Sequence, residues 1–192
     1  MMTQALMTLT ARLDVNQIGD GIDWLFADLD SAVGAAREPS NPHWNGDINF
    51  QAGQEFKIAI TASDRDNTGL ESLEVVDCCM ITRPQILSCG KDQRTRYAPP
   101  SLFTDNRGEQ LGALYQIDPH AFTVFSDGLG PAKERRITLL WDNQLNVGQV
   151  NGSWEVSFYV TLAIKRAHEE ARQLRVFYFD PEGEVTNGTD PP

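Results

Sequence analysis

The chain has 192 residues, 41% of them apolar, and carries 27 acidic against 16 basic side chains, a net charge of −11. That length suffices to bury about 70% of the unfolded surface, and the apolar share excludes a wholly disordered chain. The acidic excess argues against a nucleic-acid binder or a protein docked on an anionic membrane, and no apolar run reaches the roughly 18–20 residues of a membrane span.

Taken in order, residues 1–14 lack the basic start and continuous apolar stretch of an export signal, with Arg12 breaking the run. Between 21 and 37, Ile22, Leu25, Phe26, Leu29 and Val33 fall at helical spacing with Asp20 as a cap, so periodicity alone favours a helix. "DINF" and "EFKIAITAS" read as strands about a turn at Ala52-Gly53-Gln54, with Phe56, Ile58 and Ile60 on one side. "DRDNTGLE", 64–71, puts Asp64, Asp66 and Gly69 at the first, third and sixth places of a calcium loop. Val75 stands where the bidentate glutamate belongs, so a turn hydrogen-bonded to its own backbone is expected instead. "LESLEVVDCCMITRP" is a strand ending at Pro84, on which Cys78 and Cys79 point to opposite faces. With Cys89 the cysteines number three and cannot all pair, which suggests a reducing cytoplasm and thiols used as small core groups.

Residues 90–112 form a long polar loop with Pro99-Pro100 and a basic island of Lys91, Arg94, Arg96 and Arg107 beside Tyr97. Residues 113–127 are strand-like, broken at Asp118-Pro119, and 135–144 hold a further strand. The clearest signal follows. From Trp154 to Ile164 the even-numbered residues Trp154, Val156, Phe158, Val160, Leu162 and Ile164 alternate with wetter ones, the pattern of a strand with one buried face. Residues 174–180, "LRVFYFD", carry apolar groups on both faces, as a central or doubly covered strand does, and 136–180 together read as a β-meander. Both sequons, at Asn151 and Asn187, sit on Asn-Gly turns. The expected organisation is one domain, 1–185, with a short tail, 186–192.

Sites of chemistry are sparse. His43, His120 and His168 lie apart, no Cys-x-x-Cys occurs, and neither a phosphate loop nor a serine elbow is present, so no metal or cofactor is expected. Paired carboxylates of a hydrolase remain an alternative because acids are abundant, with one raised pKa as their signature. Trp24, Trp44, Trp141 and Tyr97 are the rings a carbohydrate-binding module would expose. The basic island suggests a head-to-tail contact with the acids Glu182 and Glu184 of another copy.

Regular strands with turns between them point to an all-β, antiparallel sandwich. The order of "LMTLTARLDV", "DWLFADLDSAV", "NGDINFQAGQEFKIAI", the alternating strand and an aromatic strand closing in Asp180-Pro181 resembles the bacterial inclusion-body proteins of the AidA/PixA-like group. Phe177, Phe179, Asp180, Pro181 and Asn187 also look like the close of the related DP-EP proteins. The resemblance implies an Ig-like β-sandwich in the cytoplasm, in which 22–28 is a strand, and we adopt the strand. It implies a non-enzymatic protein acting by self-association or partner binding, with no catalytic residues to carry over and a small-molecule or glycan ligand undefined. Pro181 is then expected to turn the chain out of the sheet, leaving Glu182 and Glu184 on a short edge segment whose charge discourages stray strand pairing.

Overall fold

The computed structural model describes residues 6–27, 48–84, 86–87, 96–150, 152–179 and 182–186. Fifteen strands are formed among them: β1 (Leu6–Asp14), β2 (Asp23–Ala27), β3 (Ile48–Gln51), β4 (Glu55–Asp64), β5 (Leu70–Pro84), β6 (Ile86–Leu87), β7 (Arg96–Tyr97), β8 (Phe103–Thr104), β9 (Leu114–Ile117), β10 (Phe122–Leu129), β11 (Arg135–Trp141), β12 (Leu145–Val147), β13 (Gly152–Arg166), β14 (Gln173–Phe179) and β15 (Glu182–Thr186). The only helical element among the described residues is a 3-10 turn, Pro119–Ala121, which Asp118 caps by accepting from the His120 N–H. The first sheet runs β10-β11-β4-β1-β2, with β12 bridging β4 to β8. The second runs β3-β15-β13-β5-β9, with β14 also beside β13, and β6 with β7 forms a separate ribbon.

The all-β sandwich follows from period-two patterning. All six even-numbered groups from Trp154 to Ile164 are buried, facing Phe56, Ile58 and Ile60 of β4 and Leu9 and Ala11 of β1 in one core. Four phenylalanines lock the sheets together. Phe56 lies 4.6 Å from Phe103 and 6.4 Å from Phe158, and Phe50 sits edge-on to Phe103 at 5.8 Å. Most pairings are antiparallel, but β1 runs parallel to β4 and β3 parallel to β15.

Residues 23–27 are a strand, β2, as adopted from the resemblance and against the helical spacing, which pairing with β1 outweighs. Other expectations change. Residues 28–37 lie outside the described residues. Residues 136–180 are not one meander, since β11 and β12 belong to the first sheet and β13 and β14 to the second. Past Asp180 and Pro181, which lie outside the described residues, the chain is again within the sheet. Phe158 faces Phe179 and Glu155 faces Glu182, so β15 resumes the same register along β13 that β14 held, and it lies inside the sheet between β13 and β3. Glu182 and Glu184 are therefore not on an edge.

The described part of the long polar loop, 96–112, is also tied to the core more closely than its composition suggests. Ala98, Ser101, Leu102 and Phe103 are buried. The Pro99 carbonyl accepts from the Trp154 indole N–H at 2.9 Å, the Pro100 carbonyl from the Thr82 hydroxyl at 2.8 Å, and the Leu102 carbonyl from Gly148 N–H at 2.7 Å. The two prolines donate nothing to a ladder, yet their carbonyls satisfy buried donors of the core strands.

Candidate functional site

The groups singled out from the sequence do not assemble. Lys91, Arg94, Asp180, Pro181 and Asn187 lie outside the described residues. Arg96 and Tyr97 belong to the small ribbon through β7. Arg107 is exposed in a tight turn after β8, where Asp105 accepts from the N–H groups of Arg107 and Glu109. Glu182 and Glu184 belong to the second sheet, and among the described residues no ion pair joins Arg107 to an acid. Phe177 is fully buried, and Phe179 ends β14 opposite Phe158.

The chemical candidates resolve into structure. Asp64 is wholly buried. Its carboxylate accepts from the N–H groups of Thr68, Gly69 and Leu70, from the Thr68 hydroxyl and from the Asn16 amide, all within 3.0 Å. Burial pushes its pKa up, but the hydrogen bonds from Leu70, Thr68 and Asn16 outweigh it and hold the group at about 2. The calcium-like motif is thus a turn closed on its own backbone. Burial, with the charges of Cys79 and Asp77, pushes the Cys78 thiol up to about 12, and burial with Asp77 also raises Cys79, which is the opposite of an activated nucleophile. Glu134 is buried over Gly130 and bonded to Arg136 at 2.6 Å; burial is again outweighed, by backbone donors and Arg136, so its pKa falls. A catalytic acid needs the reverse shift. Among the described residues no three His, Cys, Asp or Glu side chains are placed to hold a metal. Trp141 and Trp154 are core residues and Trp24 packs against the core, while Trp44 lies outside the described residues.

A different surface stands out. On β13 the odd-numbered residues point away from the core, and the register sets Tyr159 beside Tyr178, Thr161 beside Val176 and Ala163 beside Leu174 of β14. On the other side Tyr159 faces Cys79, Ser157 faces Ile81, and Ile81 faces Leu114 of β9. An apolar band therefore crosses four strands of the second sheet diagonally. Leu174 is 63% exposed, Val176 57% and Leu114 62%, with Tyr159, Tyr178 and Ile81 also exposed. The two tyrosine rings stack at 6.2 Å with their planes 28° apart. This corrects the expectation that β14 is central or doubly covered. Among the described residues its only ladder partner is β13, and beyond it lies a single bridge from Gly21 to Tyr178.

Around the band, two ion pairs and further hydrogen bonds engage the charged groups among the described side chains. Arg83 pairs with Glu155 at 2.8 Å, Arg172 pairs with Glu74, the Gln116 amide donates to Asp77, and Lys165 donates to the Glu169 and Glu170 carbonyls. On a chain of net charge −11 this is an apolar face edged by paired charges. The sequence signal for it was the doubling of apolar residues in β14, which fits a doubly covered strand and an exposed apolar face equally well. No protein-family model matches the chain, and no curated protein matches it.

Proposed function

We propose that this is a non-enzymatic, cytoplasmic protein that acts by self-association, its single Ig-like domain spanning 1–185, and that copies meet through the outer face of the second sheet. The diagonal apolar band from Leu174 to Leu114 carries the reading. Isolated surface hydrophobics are ordinary, whereas a contiguous band that mixes aromatic and aliphatic groups is what an interface core requires. A second copy is the occupant that suits the electrostatics. Two chains of −11 repel everywhere except where charge is locally balanced, and the Arg83–Glu155 and Arg172–Glu74 pairs provide that balance at the band's rim. The same excess acid disfavours nucleic acid and anionic lipid. The resemblance to inclusion-body proteins agrees with a chain that assembles with itself.

Sedimentation velocity across protein and salt concentration tests this. Oligomers held by the band persist or strengthen in high salt, because apolar burial is not screened, and they dissociate in Val176→Lys. A monomer at every concentration, or an oligomer that salt dissolves and Val176→Lys leaves intact, overturns the proposal; the second result returns the contact to the basic loop and Glu182 and Glu184. The stacked, exposed Tyr159 and Tyr178 favour one second reading, a platform for a sugar ring. A monomer retained by a glycan, and released by Tyr178→Ala, would establish it in place of self-association.

A further inference from the structure

At one end of the sandwich the β1–β2, β4–β5 and β13–β14 loops surround a cleft of about 550 Å³. Its walls are fixed by Arg166, whose guanidinium donates to the Val15 carbonyl at 2.8 Å, to Asn16 Oδ1, to the Glu169 carboxylate at 3.1 Å and to Gln173 Oε1 at 3.1 Å. Two consequences follow from that clamp. Glu169 is neutralised, and the Gln173 amide is turned so that its oxygen is taken while its Nε2 amino group has no acceptor among the described residues. Beside it Arg175 lies over the Phe177 ring at 4.7 Å and donates to the Gly19 carbonyl at 2.9 Å and the Val15 carbonyl at 3.4 Å. Those two bonds leave further guanidinium N–H groups unused. The His168 imidazole, also on the cleft, makes no hydrogen bond among the described residues. The cleft thus presents surplus donors, with the charges of Arg166 and Arg175 set against those of Glu169 and of the buried Asp64 that Asn16 and Thr68 bond, in a concavity within the range of small-ligand sites.

We propose that this cleft binds a small oxyanion, a phosphate or a polycarboxylate, held by Arg175, Gln173 Nε2 and His168. The cleft adjoins the Leu174 end of the apolar band through Gln173, but the proposal does not rest on self-association.

The test is titration of the full-length protein, followed by amide chemical shifts, with inorganic phosphate and separately with citrate at fixed ionic strength, using chloride as control. Saturable shifts confined to residues around the cleft are expected with at least one of the two, and the tighter of them identifies the oxyanion class. Gln173→Glu is the decisive variant. It keeps the oxygen that Arg166 binds, and so the cleft's walls, while removing the Nε2 donor and adding a like charge, which should weaken binding about tenfold or more. His168→Ala, at an exposed position without partners, should weaken it more modestly. The proposal is overturned if neither anion saturates, if chloride reproduces the shifts, or if Gln173→Glu binds as the parent does.

Discussion

On the outer face of the first sheet Thr8, Thr10, Ala59, Thr61 and Thr138 are small, and every one is buried; on the outer face of the second, Leu174, Val176, Tyr159 and Tyr178 are large, and every one is exposed. The hydroxyls of Thr61 and Thr138 bond each other across β4 and β11 at 3.0 Å, whereas those of Thr8 and Thr10 are buried without a partner among the described residues. Residue type and exposure are thus inverted between the two faces. Polar character does not guarantee water contact, nor apolar character burial, because what covers a sheet face is set by tertiary placement. The inner wall is the reference against which both faces are judged.

The largest effect belongs to that wall. Phe158 is 2% exposed and its ring lies on Phe56, so Phe158→Ala should cost about 3–5 kcal/mol in urea unfolding. A loss well under about 1 kcal/mol would mean that the cavity collapses freely and the two sheets are not closely interlocked. Next comes the turn that joins the sheets. Asp64 has its pKa lowered in the folded protein to about 2 from 3.8, so its contribution is fully present above pH 3.8 and is lost as pH falls through about 2. On the order of 2 kcal/mol of stability should disappear across that window. Asp64→Asn should flatten this acid limb in a pH series of denaturation midpoints, and an unchanged limb would assign the acid sensitivity elsewhere. Smaller, and of opposite sign, is Thr10→Val. It removes a buried hydroxyl that has no partner among the described residues while keeping the branched shape, and it should raise stability by about 1 kcal/mol. A destabilised Val variant would show that the hydroxyl has a partner after all.

The wall of β13 was legible because alternation over twelve residues permits only one solution, and the turn at Asp64 was legible because a missing ligand ruled out calcium. Other features were not. In β2, Trp24, Leu25 and Phe26 satisfy helical and strand spacing alike, and only pairing with β1 decides. Two prolines and four bases made residues 90–112 look solvated, although carbonyl groups, which composition does not register, tie Pro99 and Pro100 to the core. The step at Asp180-Pro181 suggested an exit from the sheet, yet β15 keeps the register of β14 on β13. The apolar band and the cleft at the end of the sandwich each join residues far apart in sequence, Leu174 with Leu114 and Asn16 with Gln173, so no local motif announces them.

The comparison of outer faces is sharpest when one substitution is made on both. Val176→Lys and Thr10→Lys each put an ammonium on a branched residue of an outer face. At Val176 the charge enters water, so stability should move by no more than about 0.5 kcal/mol while self-association is lost. At Thr10, 1% exposed, the same charge is buried beside no described acceptor and the protein should fail to fold. Thermal melts and sedimentation of the two variants separate the faces cleanly. If Val176→Lys unfolds the protein as Thr10→Lys does, the second sheet's outer face is covered within a single chain. The apolar band then belongs to a core, and self-association must be sought elsewhere.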